Sequence, residues 1–352
     1  MHKNGLKDIN RPKNHMNENY PPQLGIDVSK FKLDVVLLLP TGTHTATFAN
    51  TPTGFQALVR WLARFQASPR VCLEATGTYG LPIARFLHQR GLLVSIVNPM
   101  AIHFFGRTQM SRNKTDAHDA MLIARYAQYH PPRLWHPPTP VQEQLQQRVR
   151  VREQLLESRV VAQQHLESAP AASAKLFRAH LRLLDRQIAT LEKQLQQATQ
   201  TDALLQKAVT LLTTIPGVGF VTAVTVLAII PPLDQLESAR QLAAFAGLTP
   251  RQHQSGIFSG RSRLSKMGHR RLRKALYFPA LTALRCNGRV QSLAIRLAQK
   301  GKSKMVIVGA AMRLLTHLIF GVLKNQTPFD PHYQNKTSLR AAASLQLAPG
   351  GA

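Results

Sequence analysis

The stretch Leu24-Gly25-Ile26-Asp27-Val28-Ser29-Lys30, followed by Leu33-Asp34-Val35-Val36-Leu37-Leu38-Leu39, decides the fold of the N-terminal half of this 352-residue chain. A β-rich run over Gly25–Val28, a tight turn, an apolar run over Leu33–Leu39 and a third near Thr43–Phe48 predict three adjacent antiparallel strands. Beyond them the pattern changes to alternation. A helix is expected from about Thr53 to Phe65, a strand at Val71–Glu74, a helix at Leu81–Arg90 stopped by Gly91, and a strand at Leu92–Val97 stopped by Asn98-Pro99. A meander followed by strand and helix in turn points to a mixed sheet with helices on its faces. A further helix is expected to start at Asp116 and run to about Tyr129, after which Pro131–Pro140 closes the domain.

From Val141 to about Gln200 the chain is rich in Gln, Leu and Arg, and Phe177, Leu181, Leu184, Ile188, Leu191 and Leu195 recur at spacings of four and three. That is the seam of a coiled coil, and it requires a partner helix. The partner is either the segment Leu145–Leu166, reached through a turn at Pro170, or a second chain, with pairing between chains the preferred reading. A third region begins near Leu204, where Leu211–Ile230 reads as helix, Ile215-Pro216-Gly217-Val218-Gly219 turn, helix. Such a hairpin lets backbone amides approach a phosphate, which makes Gly217 and Gly219 candidate nucleic-acid contacts; the same turn also joins helices that bind nothing. The expected organisation is a disordered leader over 1–22, an α/β domain over 23–135, a helical connector over 136–203, a mainly α domain over 204–325 and a flexible tail over 326–352.

Lys and Arg number 45 against 17 Asp and Glu, a formal net charge of +28, so the expected partner is a polyanion, nucleic acid ahead of an anionic membrane. Nineteen of the cations and one acid, Asp330, lie between Ser238 and Ala352. Seven fall in Arg261–Lys274: Arg261, Arg263, Lys266, Arg270, Arg271, Arg273 and Lys274. With Arg251 they form the candidate phosphate-contact surface. Two cysteines, Cys72 and Cys286, are too few for a disulfide framework or a Cys-based zinc site, and they fit a reducing cytoplasm. The opening residues carry no apolar signal core. Two apolar stretches, Ala208–Leu233 and Met305–Leu323, are expected to be buried helices, the first broken by Pro216-Gly217 and the second carrying Arg313 and His317.

Against this excess of cations, only Glu74, Asp116 and Asp119 are acidic between Val35 and Gln142, with Asp27 just upstream. Hard divalent cations take oxygen ligands, and phosphodiester chemistry needs several carboxylates converging on one phosphate. An Asp in the first strand, a Glu ending a later strand and an acidic pair opening a helix can supply that set; three-residue spacing puts Asp116 and Asp119 on one helix face. A helix dipole alone would also favour acids there. Asp34 is expected at a solvent-facing or edge position and is left out. Ser255, in Gln254-Ser255-Gly256, is by itself an ordinary loop serine.

Taken in order, Gly25-Ile26-Asp27-Val28-Ser29-Lys30, Glu74-Ala75-Thr76-Gly77-Thr78-Tyr79, Asn113-Lys114-Thr115-Asp116-Ala117-His118-Asp119-Ala120, the Ile-Pro-Gly-Val-Gly hairpin and Ala246-Gly247-Leu248-Thr249-Pro250 to Gln254-Ser255-Gly256 resemble the DEDD transposases of bacterial insertion sequences, a family that includes bridge-RNA-guided recombinases and pilin-gene invertases. The resemblance spans about residues 24–325. It implies a RuvC-like (RNase H-like) N-terminal domain whose Asp27, Glu74, Asp116 and Asp119 bind Mg²⁺ or Mn²⁺, a coiled-coil insertion, and a C-terminal transposase domain whose nucleophile is Ser255, with Ser259, Ser262 and Ser265 nearby. It further implies nucleic-acid contacts at Lys30, Thr76 and Lys114, double-stranded donor and target DNA, a structured non-coding guide RNA, homo-oligomers from dimer to tetramer, no membrane, and a cytoplasmic, nucleoid-associated location. The alternatives are a metal-dependent RuvC-like nuclease or junction resolvase using water, and an architectural or RNA-binding protein that keeps only the fold.

Overall fold

The computed structural model describes residues 20–75, 77–108, 116–251, 254–255, 258–259 and 263–332, without the side chains of 116, 117, 254, 255, 258 and 259. The expectations for residues 1–19 of the leader, for the tail beyond 332, and for Thr76, Lys114 and Arg261 therefore lie outside the described residues. The chain divides into two units, Met1–Pro137 and Pro138–Ala352.

The first unit begins with β1 (Gln23–Val28), β2 (Lys32–Leu39) and β3 (Gly42–Ala49), the antiparallel meander that the sequence predicts. Ser29 closes the first turn, its amide and hydroxyl each donating to Lys32 O at 3.0 Å. Next come α1 (Pro52–Ala63), β4 (Arg70–Glu74), α2 (Leu81–Gln89), β5 (Val94–Val97), α3 (Pro99–Thr108) and α4 (Asp116–Tyr129). β4 and β5 add in parallel beside β1, so the sheet order is β3-β2-β1-β4-β5. Alternation along the strands gives the sheet two apolar faces. Leu24, Ile26, Leu33, Val35, Leu37, Val71 and Leu73 pack against α1 and α2 through Phe55, Leu58, Ile83 and Leu87. The opposite face carries Val36, Leu38, Cys72 and Val97 and is covered by α4 through Ala120, Ile123, Ala124 and Ala127. The free edge of β5 is covered by the Pro-rich segment, with the Trp135 amide donating to Val94 O at 2.7 Å.

One helix was not expected. Asn98-Pro99 reads as the stop of a strand, yet it also starts α3, because Pro fits a first helical turn and Asn98 Oδ1 accepts the Met100 amide at 2.9 Å.

The second unit is helical, with four short β-segments among its described residues. It comprises α5 (Pro140–Ser168), α6 (Ala171–Gln200), α7 (Ala203–Thr213), α8 (Phe220–Ile229), α9 (Ala239–Phe245), β6 (Pro250–Arg251), β7 (Gln254–Ser255), β8 (Phe258–Ser259), β9 (Arg263–Leu264), α10 (Arg270–Ala275), α11 (Tyr277–Cys286), α12 (Gly288–Gln299) and α13 (Lys304–Asn325). Only Ala169 and Pro170 separate α5 from α6, so the two run antiparallel, and Arg152–Glu192 and Arg159–Asp185, each 2.6 Å, fix their register. The apolar stripe of α6 lies against α5 of the same chain: Leu181 and Leu184 pack with Leu155, Ala162 and Leu166. Pairing between chains, the preferred reading of the seam, is thus replaced by the internal hairpin, because a two-residue link delivers the partner at no cost in chain association.

α13 is long and apolar enough to span a bilayer by length and composition. Its Val308, Ala311, Met312, Leu315, Ile319 and Leu323 instead join the main core with α7, α8, α9, α11 and α12.

One contact carries α4 onto the sheet. A Cβ placed on Gly25 would lie 2.2 Å from Ala120 O and 2.5 Å from Ala124 N, so the helix backbone rests directly on β1. Gly25→Ala should therefore lift α4 from the sheet and destabilise the first unit by about 1–3 kcal/mol, the usual cost of overpacking. Chemical denaturation would measure this, and an unchanged midpoint would contradict the close approach.

Candidate active site

The parallel register of β1 and β4 sets Ile26 opposite Leu73. The next residue on each strand is Asp27 and Glu74, so the two acids fall side by side at the carboxyl ends of these strands, on the face that α4 covers. Gly25, two residues before Asp27, holds Ala120 and Ala124 of α4, and this places the first turn of that helix, with Asp116 and Asp119, toward the same end. The electrostatics agree with that placement. Burial first, then the charges of Asp27 and Asp119, push the Glu74 carboxyl above its ordinary range. Asp27 and Asp119 thus both bear on Glu74; Asp116 is placed by its backbone alone.

Asp34 corrects the sequence reading. It is 8% exposed rather than solvent-facing, and it lies directly opposite Asp27 on the same sheet face. Thr47 Oγ1 donates to its carboxylate at 2.7 Å and Lys32 Nζ stands 3.0 Å away, so its charge is already compensated. The two-residue turn at Lys30-Phe31 was the available signal, since counting outward from it pairs Asp27 with Asp34.

Among the described residues no three His, Cys, Asp or Glu side chains stand close enough to grip one ion. The donor chemistry nevertheless fits a hard cation: the acids are all oxygen donors, and at half-buried Glu74 their charges repel. Coulomb coupling reaches further than a coordination bond, so the two observations are compatible, and the coupling is the one that bears on charge.

In the second unit, β6 pairs with β9 and β7 with β8, so Ser255 sits opposite Phe258 in a small β-arm rather than in an irregular loop. The arm is anchored where the Ser265 amide donates to Thr249 O at 2.9 Å and the His269 amide to Phe245 O at 2.6 Å. Much of the basic segment behind it has partners inside the chain. Arg271 lies 3.3 Å from Glu153, Lys274 lies 3.3 Å from Glu153 and 2.7 Å from Glu157, and Arg273 Nη1 donates to Ala246 O at 3.0 Å. Arg263, Lys266 and Arg270 are exposed, as is Arg251; in the first unit Lys30 lies over the Phe31 ring. Of the hairpin glycines, Gly217 (φ +99°) faces inward, where a Cβ would meet Ala283 N and Pro279 O at 2.9 Å. Its conformation is thus explained by packing on α11. Gly219, at the start of α8, opens onto free space.

An acid-lined sheet face and a basic helical unit are the parts of an enzyme that works on a polyanion. Residues 24–169 match the DEDD transposase model of the IS110 type, and residues 209–294 match the transposase IS116/IS110/IS902 family. The pilin gene-inverting protein of Moraxella bovis is 32% identical over 314 residues, spanning 87% of this chain and 97% of that protein. A probable family 20 transposase of Pseudomonas aeruginosa is 27% identical, spanning 74% of this chain and 86% of that one. The chain belongs to the IS110 family of DEDD transposases. Membership implies an enzyme acting on DNA with the help of a divalent metal. T. thermophilus RuvC in complex with a Holliday junction substrate aligns over 33% of this chain at 13% identity, but its TM-score of 0.27 is too low to bear on the fold.

A raised carboxyl pKa means the fold favours protonated Glu74; this contribution to stability is present below the ordinary glutamate pKa and lost as pH rises through the raised value. In chelator-treated protein the melting midpoint should fall across that window, and Glu74→Gln should flatten the fall. An identical pH profile in the variant would show that the acids do not crowd one another.

Proposed function

We propose that this chain is the recombinase of an insertion sequence, cutting and exchanging DNA strands through a phosphoserine link. The observation that supports the reading is the placement of Asp27 and Glu74 side by side at the carboxyl ends of β1 and β4, beneath a helix whose first turn carries Asp116 and Asp119. Asp27, Glu74, Asp119 and, from the other end of the three-residue spacing, Asp116 would hold Mg²⁺. A divalent ion held there would supply a lowered pKa for a nearby hydroxyl and compensation for charge that develops on the phosphate oxygens. The four carboxylates would fix the position of the ion, and through it the place where a scissile phosphodiester can approach a site that otherwise repels anions.

Ser255 Oγ is the nucleophile. Its attack forms an O–P bond, breaks the bond from phosphorus to the sugar oxygen of the leaving strand, and releases that oxygen as a hydroxyl. A hydroxyl from the exchanged strand then attacks the phosphoserine, restores a phosphodiester and returns the proton to Ser255. The count of phosphoester bonds is unchanged throughout, so no nucleotide cofactor is required. Ser255 and the acids belong to different units, and the reaction requires both to reach one phosphate, from one chain or from two within a dimer or tetramer. Arg251, Arg263, Lys266, Arg270 and the open amide end at Gly219 would hold the DNA backbone, with Lys30, Thr76, Lys114 and Arg261 in the acid- and serine-bearing motifs. Arg271, Arg273 and Lys274 would join them by exchanging an internal partner for a phosphate. Target choice would come from pairing with a structured non-coding RNA.

Ser255→Ala should retain DNA binding and form no covalent protein–DNA adduct on a denaturing gel; an adduct in that variant would displace Ser255 as nucleophile. Water-dependent cleavage by the same variant would indicate a hydrolytic nuclease instead. Asp27→Ala should abolish Mg²⁺-dependent cleavage, and undiminished cleavage would remove the metal site. Treatment of the purified complex with ribonuclease should end site-directed exchange. Activity that survives it would overturn RNA guidance.

A further inference from the structure

Three basic side chains meet in the second unit with no acid among the described residues beside them. Arg313 and His317 stand one helical turn apart on α13, and Arg240 lies on α9, which packs on that helix, near enough for its charge to act on His317. Arg313 Nη1 and His317 Nε2 are sealed from solvent and have no hydrogen-bond partner among the described residues. His317 is held below the ordinary imidazole range by burial first, then by the charges of Arg313 and Arg240. A guanidinium N–H that is both dry and unbonded is an unfavourable arrangement, and a repelling cation next to it makes it worse. Such a group lacks an acceptor that brings negative charge.

The place of the cluster narrows what that acceptor is. Leu264, in β9 at the base of the arm that carries Ser255, lies against Gly309, where a Cβ would come 3.1 Å from Leu264 Cδ1. Gly309, Arg313 and His317 follow one another along the same side of α13 at helical spacing. The cluster therefore lies along α13 from the foot of the serine arm, in the part of the chain with the greatest excess of cations.

We propose that Arg240, Arg313 and His317 form a seat for one phosphate of duplex DNA, a non-catalytic grip that holds the strand beside the serine arm. The inference rests on the reading of this chain as a DNA recombinase. A phosphate oxygen would accept from Arg313 Nη1 and from the His317 ring, while Arg240, exposed at the rim, would pair with a second oxygen. Arg313 and His317 are each partly exposed as whole residues, so a turn of the guanidinium and of the ring would bring the unbonded nitrogens out to the phosphate. The chemistry asks for an anion with several acceptor oxygens, which both a backbone phosphate and free inorganic phosphate supply.

The test uses the full chain, with Arg313→Gln and Arg240→Gln, and a fluorescent duplex titrated over a range of KCl concentrations. Each variant should bind several-fold more weakly, and the slope of log affinity against log salt should flatten by about 0.9 for each phosphate no longer neutralised. If Arg313→Gln does not fold, as judged by circular dichroism, the exposed Arg240→Gln decides. Unchanged affinity and slope would overturn the proposal. So would protection of the wild type against melting by millimolar inorganic phosphate with no change in DNA binding by either variant, which marks a free-anion seat. Wild-type binding without any Mg²⁺-dependent cleavage would sink the recombinase reading and leave this inference standing. Cleavage by the wild type together with unaltered binding by both variants would do the reverse.

Discussion

The contact between Gly25 and the backbone of α4 is the constraint on which the first unit depends. With hydrogen in place of a methyl at this position, Ala120 and Ala124 settle on β1, and the helix lies close enough for its first turn to share the electrostatic field of the strand ends. Any side chain there would hold the helix away from the sheet, and Asp119 would then act on Glu74 through more distance and more water. The same contact helps to order the far face of the sheet, where Val36, Leu38, Cys72 and Val97 pack with Ala120, Ile123, Ala124 and Ala127 of α4 and with Ile102 of α3. Packing and charge placement are here one geometric fact.

The second unit resolves a different conflict. Its C-terminal third is so basic that helices bearing like charges must be brought together, and the acids of α5 moderate the repulsion. Glu153 and Glu157 sit against Arg271 and Lys274, and Lys274 holds the Glu157 carboxyl below its usual range. These pairs are largely exposed, and pairs of that kind contribute little to stability. They can therefore be exchanged for phosphate at small cost, so that helices are kept together while the surface stays available to a polyanion. The cluster of Arg240, Arg313 and His317 has no such acid among the described residues, which sets it apart from the paired part of the basic surface.

Much of this was legible in the residues. The meander, the alternation after it and the start of α4 at Asp116 follow from period-2 and period-3.6 patterns that few competing forces disturb. The scarcity of carboxylates singles out Glu74, Asp116 and Asp119, with Asp27 just upstream, as candidates, and the structure sets Asp27 and Glu74 side by side. Three readings went differently for identifiable reasons. Asp34 follows the alternation of its strand and is buried because Lys32 and Thr47 satisfy it, a compensation that lies on neighbouring positions of the sheet. Asn98-Pro99 not only ends β5 but also opens α3, since Pro fits a first helical turn and Asn98 Oδ1 accepts the Met100 amide. The stripe on α6 specified a partner helix without naming it, because a heptad seam carries no label for the chain it binds.

The sequence by itself determined the class of the protein, the meander and the alternating strands and helices of its first unit apart from α3, and its polyanion-seeking charge. These are properties of local pattern and composition, and each is complete within a short window of chain. Only the tertiary structure decided which acids bear on Glu74, which basic side chains already have partners, that the long helices pair within one chain, and that Arg313 Nη1 and His317 Nε2 are sealed without a hydrogen-bond partner among the described residues. All four depend on packing between separate elements of the fold, where distance and burial set the energy and periodicity says nothing.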